Sequence, residues 1–488
     1  MENQDKKPNI IAIIGAIVLL VLAVVGISYA FFSAFIKNGE TDTSVEGTGA
    51  NLSLVYTDGK SVITSSNIMP GWSATKTFTV TNNGEADTYY KLNISNITNE
   101  FVDGGLTFSI ASADGGTSVA EQAVGTTTRT ISPSITIAEG ATHTYTVTAK
   151  YINLNTDQTP DLGKSFSYTI GIEASQKPTF KDIILANNEV KTPITTPGAA
   201  VSTSSEALLA SAEDDYGTSY YFRGAVTNNY VEFANKCWRI VRIGGDNTVK
   251  LILHNDNISN ASNPCSSANN STTAAFVHYD GNIYKSEFNS NYNDNAYVGF
   301  MYGTPGSTTY EATHANTNKS TILTNLETWY NNNLKTYESV IDNNVFCNDK
   351  SLSSGSGYSA NATDYAARER LYTSKIPSLK CNGELSKITS KIGLITADEL
   401  AFAGYAVRGY ITTSYLKENA TGYSWWSLSP AGFYNKSLSY VFRVRSDNDA
   451  IDICNVNVDS SVRPVISLVS SITISGVSGT SEDPYVVK

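Results

Sequence analysis

The stretch YSWWSLSP, Tyr423 to Pro430, places two of the five tryptophans of the chain side by side. In an extended strand, successive side chains point to opposite faces of the sheet. Trp425 and Trp426 therefore cannot share one core face, and Leu428 lies on the face of Trp426. Pro430 is expected to end the strand, because proline has no backbone N–H to donate to a neighbouring strand. The pattern leaves open which tryptophan is the core residue.

The length and composition around this stretch indicate a multidomain extracellular protein. A chain of 488 residues is long enough for two or three domains. Hydrophobic residues make up 41% and charged residues 16%, and Ser, Thr, Asn and Gly fill much of the remainder. This composition is typical of β-rich proteins with polar surfaces. The net charge of -11, without a basic cluster, disfavours nucleic-acid binding.

An uncharged N-terminal segment predicts a membrane anchor. Ile10–Ile36 is longer than the roughly 20 residues that a spanning helix needs. Lys6 and Lys7 precede it, so the tail 1–9 is expected in the cytoplasm and the remaining chain outside the cell. The alternative is a signal peptide cleaved after Ala30, and the length of the apolar run favours an uncleaved anchor.

The pattern of strands, turns and helices divides the rest of the chain. Residues 47–175 show short alternating strands, such as KTFTVT, and predict an all-β sandwich of immunoglobulin-like or jelly-roll type. The Pro-, Thr- and Ser-rich residues 176–207 predict a linker. Residues 208–488 mix strands with segregated helices and predict an α+β domain. Its clearest helices are TILTNLETWYNNNLKTYESVI, which has an apolar stripe at helical spacing, and ADELAFAG.

Two resemblances cover most of the chain. The C-terminal half resembles a family of bacterial extracellular domains of unknown function with a C-type-lectin-like fold, related to formylglycine-generating enzymes. The segments that carry it, in order, are SYYFRGAVTNNYVEFANKCWRIVRIGGD, VGFMYG, LETWYNNNL, VFCNDK, GLITADELAFAG, WWSLSP, VRPVISL and GTSEDPYVV. The N-terminal half resembles the TasA/camelysin group of secreted β-sandwich proteins, through IMPGWSATKTFTVTNNGEADTYYKLNI, DLGKSFSYTIGIEAS and the leader end SYAFFSAF.

The first resemblance implies roles for several residues of the C-terminal half. It makes Trp426 the core tryptophan, and it pairs Cys347 with Cys381 in a disulfide. Trp425 is then expected to cover a second layer under a loop, in preference to serving as a ligand platform. The copper-binding cysteine pair of formylglycine-generating enzymes is absent from the last hundred residues, so that activity is not expected.

Further expectations come from the residues themselves. Trp238 lies in an apolar strand and is expected in the core. Arg463 lies in a strand that should be central, and an interior arginine is expected to organise loop carbonyls or a carboxylate. Cys237, Cys265 and Cys454 compete for one further disulfide, since five cysteines cannot all pair.

No catalytic or metal motif stands out. The four histidines lack metal-ligand spacing, and His143 is expected to be a solvated strand residue. Asp398 and Glu399 are adjacent at a helix start, where cap and helix-dipole interactions explain them better than acid–base catalysis. The run Asp447, Asn448 and Asp449 offers hard oxygen ligands, so calcium is the one cofactor that the sequence leaves open.

These observations predict a single-pass bacterial cell-surface protein with a cytoplasmic N-terminus and extracellular C-terminal domains. Its lectin-like head is expected to bind a glycan, a peptide or a surface protein, with Trp425 and Asp447, Asn448 and Asp449 as candidate ligand-binding residues. The first alternative is a structural matrix protein that forms homo-oligomers or fibres. A camelysin-like peptidase is a further alternative, and enzymatic activity is disfavoured because no catalytic constellation is present.

Overall fold

A computed structural model describes residues 33–34, 43–47, 52–58, 68–84, 87–175, 178–201, 206–408, 413–472, 474–475 and 478–487. The predicted tail 1–9, the predicted span Ile10–Ile36 (apart from Ser33–Ala34) and the alternative cleavage site after Ala30 lie outside these residues. Within this part of the chain, no helix is both long and apolar enough to cross a bilayer. The protein is mostly β-sheet, with 40% strand and 14% helix. It divides into two compact units, Met1–Pro178 and Thr179–Lys488.

The first unit consists of strands that form two antiparallel sheets. The strands are β1 (Ser33–Ala34), β2 (Thr43–Gly47), β3 (Leu52–Asp58), β4 (Trp72–Asn82), β5 (Thr88–Asn99), β6 (Leu106–Ser112), β7 (Val119–Ala123), β8 (Arg129–Ile137), β9 (Thr142–Tyr151) and β10 (Phe166–Ser175), with a 3-10 turn at Thr159–Asp161. One sheet has the order β1-β10-β5-β8 and the other β2-β3-β4-β9-β6-β7. This arrangement is consistent with the predicted β-sandwich.

Side-chain alternation builds the core of this unit. Phe78 and Val80 of β4 are buried together with Leu92 and Ile94 of β5, which belongs to the other sheet. His143 is buried too, where the sequence predicted a solvated residue, and burial lowers its pKa. The reason is the period of two in β9, because His143 shares the inward face of its buried strand neighbours.

In its described residues, the second unit contains five α-helices and the remaining strands. The α-helices are α1 (Phe180–Asn187), α2 (Tyr310–His314), α3 (Thr321–Asn333), α4 (Ala366–Arg368) and α5 (Ala397–Phe402). A π-helical segment at Glu369–Ser374 continues α4, and 3-10 turns lie at Ser267–Asn269, Asn295–Val298, Lys335–Tyr337 and Glu384–Ser386.

The strands are β11 (Ala207–Asp214), β12 (Gly217–Gly224), β13 (Tyr230–Phe233), β14 (Lys236–Ile243), β15 (Val249–Asn255), β16 (His278–Tyr279), β17 (Asn282–Ile283), β18 (Lys285–Ser286), β19 (Met301–Tyr302), β20 (Asn318–Lys319), β21 (Asn344–Cys347), β22 (Leu352–Gly355), β23 (Thr363–Tyr365), β24 (Lys387–Ser390), β25 (Trp425–Tyr434), β26 (Leu438–Val444), β27 (Ile451–Asn455), β28 (Ser460–Ser461), β29 (Val465–Leu468), β30 (Ile474–Ser475) and β31 (Tyr485–Val487).

Two larger sheets organise this unit. One has the order β11-β12-β14-β13-β31-β30, with β15 joining β14 to β29, and the other has β18-β28-β25-β23-β22, with β26 and β27 beyond β25. The two predicted helices are present as α3 and α5, but α3 ends at Asn333 and does not reach Ile341, because a 3-10 turn at Lys335–Tyr337 follows it. Ser320 caps α3, and Thr396 forms a reciprocal capping box with Glu399 at the start of α5.

The tryptophan strand is buried on both faces. Trp425 and Trp426 are both 0% exposed and lie in the same core as Trp238 and Leu428. The expectation that Trp425 lies under only a loop therefore needs correction, because other elements cover each face of β25. Strand β25 also continues to Tyr434 instead of ending at Pro430. Its pairing with β26 shifts in register on both sides of Pro430, and at such an irregularity the missing N–H of proline is tolerated.

The segment 176–207 was predicted to be a linker, but its described residues from Thr179 onward belong to the second unit. Part of the segment is held in the core of that unit, whereas Ile194 is 72% exposed. Phe180 and Ile184 of α1 are fully buried in the core. Arg223 of β12 is also fully buried, and its Nε donates to Glu206 Oε1 at 2.7 Å. Other nitrogens of the same guanidinium bond to Thr195 and to carbonyls of α5. Sequence composition missed these contacts, because each depends on a partner distant along the chain.

Two disulfides lie in the second unit. Cys347–Cys381 is confirmed, and it joins residues 34 positions apart. Cys237 pairs with Cys265, which resolves the remaining competition. Cys454 is the fifth cysteine and is unpaired in the part of the chain that the structure describes.

Candidate ligand-binding groove

A network of buried ion pairs lies beside the Cys347–Cys381 disulfide. Glu399 Oε1 accepts from Lys250 Nζ at 2.6 Å and from Arg242 Nε at 2.9 Å. Asp398 forms a two-pronged pair with Arg370, at 2.8 and 2.9 Å. The cavities here are only about 30 Å³ each, close to the volume of one water molecule, so this network is a structural element and not a ligand site.

The network also accounts for Asp398 and Glu399 without catalysis. Burial alone would raise the pKa of Glu399, but the charges and hydrogen bonds of Lys250 and Arg242 outweigh it and lower that pKa to about 2. The carboxyl is ionised at neutral pH and has no proton to donate. Its role is therefore electrostatic, in addition to capping α5.

A different region of the second unit forms an open groove of about 750 Å³. Three segments line it, namely 225–227 after β12, 270–272, and 413–421 before β25. Backbone hydrogen bonds fix their spacing, because Tyr415 N donates to Gly224 O at 2.8 Å and Thr421 N donates to Thr272 O at 2.8 Å. Most lining side chains carry a hydroxyl or carboxamide group, and these are Thr227, Asn270, Ser271, Thr272, Thr413, Ser414, Asn419 and Thr421.

A buried arginine below the groove forms hydrogen bonds to two of its segments, 225–227 and 413–421. Arg239 of β14 is 0% exposed, and its Nη2 donates to Val226 O at 2.6 Å. Its Nη1 donates to Glu418 Oε2 at 2.7 Å, and Tyr230 OH donates to the same oxygen at 2.8 Å. The Glu418 side chain is 42% exposed. One carboxylate thus links the solvent side of the groove to a cation in the interior.

A second buried arginine lies next to the first. Arg463 Nε and Nη1 donate to the carbonyls of Leu253 and Leu416, at 2.8 and 2.6 Å. Its Cζ lies 5.1 Å from the ring centre of Trp425. Burial lowers the pKa of Arg463 to about 10, and the charge of Arg239 acts in the same direction. The guanidinium remains charged at neutral pH.

Four buried polar atoms around these arginines have no hydrogen-bond partner among the residues that the structure describes. They are Arg463 Nη2, His254 Nδ1, Tyr415 OH and Trp425 Nε1. Asn419 Nδ2 lies 3.2 Å from His254 Nε2, and donation to that nitrogen leaves the ring proton on Nδ1. Burial and the two arginine charges hold the pKa of His254 well below its usual value, so the ring is neutral. We call these four residues, with Arg239, the guanidinium cluster.

None of the four predicted ligand-binding residues lines this groove. Trp425 is buried, and its ring lies against Arg463. Arg463 in turn donates to the carbonyl of Leu416, in the groove segment 413–421. Asp449 pairs with the groove residue Lys417 at 2.9 Å. Asp447 instead pairs with Arg445, and Asn448 Oδ1 accepts from Ala450 N. The three residues of this run therefore have separate partners and do not form one ligand set.

Metal binding has no assembled site in the described part of the chain. Among the residues that the structure describes, no group of three or more His, Cys, Asp or Glu side chains could hold a metal ion.

The sequence pointed to Arg463 and missed Arg239 and Glu418. A usable signal is present in the strand CWRIVRIG, where Arg239 and Arg242 interrupt an apolar run. Charged residues inside an apolar strand are rarely buried without partners. Glu418 has no such signal, because it lies in a polar segment.

Comparison with protein-family models gives no match for this chain, and comparison with curated proteins gives no significant match.

Proposed function

We propose that the second unit binds an extracellular glycan in the groove. The observation that carries this proposal is the lining of hydroxyl and carboxamide side chains in a groove of about 750 Å³. Such groups both donate and accept hydrogen bonds, as the hydroxyls of a sugar do. The volume lies within the usual range of small-ligand sites, which is roughly 300–1,000 Å³.

The remaining features of the proposal come from the sequence resemblances. The second unit is a C-type-lectin-like head, and the first is a TasA-like sandwich of immunoglobulin-like or jelly-roll type. The uncharged segment Ile10–Ile36, which was inferred from its length and not from a resemblance, anchors the protein in the bacterial cell membrane, with the sandwich and the second unit outside. The protein then acts in adhesion or recognition. This assignment rests on fold analogy, whereas the groove supplies its own chemistry.

The test is binding of the full-length protein to a glycan array, with a variant that fills the groove. Thr272→Trp places a large ring among the lining residues and should abolish glycan retention. Thr328→Trp is the matched control, because Thr328 is exposed on α3 and does not line the groove. Retention by the control and loss by Thr272→Trp is the expected result.

Other outcomes favour the alternatives. Equal retention by both variants would place the binding site elsewhere. If the wild-type protein retains no glycan and forms fibres visible by electron microscopy, the structural matrix function replaces the binding one. Proteolysis of peptide substrates by the purified protein would support the peptidase.

A further inference from the structure

We propose that the groove selects acidic sugars, with the sugar carboxylate taking the place of Glu418 on Arg239. This inference rests on the glycan binding proposed above and names the class of glycan. It begins from the distribution of charge under the groove.

The guanidinium cluster carries more positive than negative charge. Arg239 and Arg463 are both fully buried, and His254 is neutral. Glu418 is the carboxylate that bonds to the cluster. Glu399 is occupied by Lys250 and Arg242, and Asp449 is occupied by Lys417. Among the described residues, the positive charges of Arg239 and Arg463 are therefore balanced by the carboxylate of Glu418 alone. Water screens charge weakly in this interior, so the imbalance matters.

The cluster also has hydrogen-bond donors that find no acceptor among the described residues. Arg463 Nη2 and Trp425 Nε1 can only donate, and the inferred His254 tautomer makes its Nδ1 a donor as well. A buried donor without a partner is unfavourable, and a charged one more so. The interior under the groove thus favours an anion at the position of the Glu418 carboxylate and disfavours a cation there.

Glu418 occupies the position that such an anion would take. Its Oε2 is held by Arg239 Nη1 and Tyr230 OH, both of which remain in place if the carboxylate is exchanged. The Glu418 side chain is 42% exposed and lines the groove, so its own charge can turn into solvent, and the incoming carboxylate then pairs with the buried Arg239. A ligand carboxylate would then make the same two hydrogen bonds.

The hydroxyl-bearing residues that line the groove favour a sugar over a peptide as the molecule that carries this carboxylate. Thr227, Ser271 and Thr272 are exposed hydroxyl groups beside the exchange position. They match the hydroxyls of a sugar ring, whereas an acidic peptide would leave most of them without partners.

The experiment uses a panel of uronic-acid and sialic-acid glycans, each next to its carboxyl-reduced neutral counterpart, on the full-length protein. We expect the acidic member of a pair to bind about tenfold or more tightly, the value of a charge-assisted hydrogen bond. Glu418→Gln removes the internal competitor, so binding of the acidic member should strengthen further and binding of the neutral member should stay the same. Glu311→Gln is the control, because it makes the same charge change at an exposed position outside the groove.

The outcomes separate this inference from the proposed function. Equal binding of acidic and neutral members would overturn the selection of acidic sugars and leave glycan binding intact. Binding of neither member would overturn both. Weaker acidic binding in Glu418→Gln would show that Glu418 assists the ligand and is not exchanged for it. A polyglutamate peptide that binds as tightly as the acidic glycans would overturn the sugar as the source of the carboxylate. Tryptophan fluorescence checks that each variant is folded.

Discussion

Replacing each tryptophan of β25 by alanine tests the burial of both strand faces. Trp425 and Trp426 are each 0% exposed, so each replacement should leave a large cavity and lower the free energy of unfolding by about 3–5 kcal/mol. If Trp425 lay under only a loop, as the sequence suggested, its replacement would cost much less. A large loss at both positions follows from the structure, because neither indole has a solvent-facing side.

Replacement by phenylalanine should separate the two positions. Trp426 Nε1 donates to Ser286 O at 2.7 Å, so Trp426→Phe loses a buried hydrogen bond as well as packing. Trp425 Nε1 has no hydrogen-bond partner in the described part of the chain, so Trp425→Phe removes an unsatisfied donor and regains part of its cost. We expect Trp426→Phe to be less stable than Trp425→Phe by about 1–3 kcal/mol.

The assay is urea denaturation of the full-length protein, followed by the fluorescence of Trp238 and Trp329, which remain in every variant. Both belong to the core that contains Trp425 and Trp426. A loss below about 1 kcal/mol for Trp425→Ala, with a full loss for Trp426→Ala, would refute the two-sided burial of this strand. Equal stability of the two phenylalanine variants would refute the hydrogen-bond argument.

Three further predictions concern the second unit. The pKa of Glu399 is about 2 instead of its ordinary 4.5, so the ionised carboxylate stabilises the fold above about pH 4.5. As the pH falls from there toward 2, the free energy of unfolding should decrease by about 3 kcal/mol. Urea titrations of Glu399→Gln should lack that decrease. Replacing Cys347 and Cys381 together by serine should cost about 3–4 kcal/mol in the same titration, and an unchanged midpoint would contradict it. Burial raises the pKa of the Cys454 thiol, so iodoacetamide at pH 7 should alkylate it more slowly in the folded protein than in urea, and equal rates would place it at the surface.

The sequence predicted features that depend on nearby residues. Helix α5 was predictable because an apolar run, IGLI, leads into it and Gly404 follows its last turn. The sandwich strand β4 was predictable because Phe78 and Val80 repeat with a period of two. The Cys347–Cys381 disulfide followed from a resemblance, which transfers long-range information that spacing alone does not contain.

The sequence could not predict features built from distant residues. Trp425 packs against Arg463, which lies between β28 and β29 and not within a strand as the sequence predicted. The groove depends on three segments, 225–227, 270–272 and 413–421, that meet only in the folded chain. Hydrophobic periodicity reports which face of one element is buried, and it does not report which loops converge.

The contacts of Arg223 change how the second unit should respond to mechanical force. Its guanidinium bonds to Thr195 and Glu206 on the entering chain and to Ala401 on α5, all in the interior. A force applied at residue 179 would act first on α1 and then on all the hydrogen bonds of Arg223 at once. It would not simply extend a flexible linker. The entering segment should therefore extend only when the surrounding core breaks, so that the second unit, when pulled along its chain, would unfold in one abrupt event.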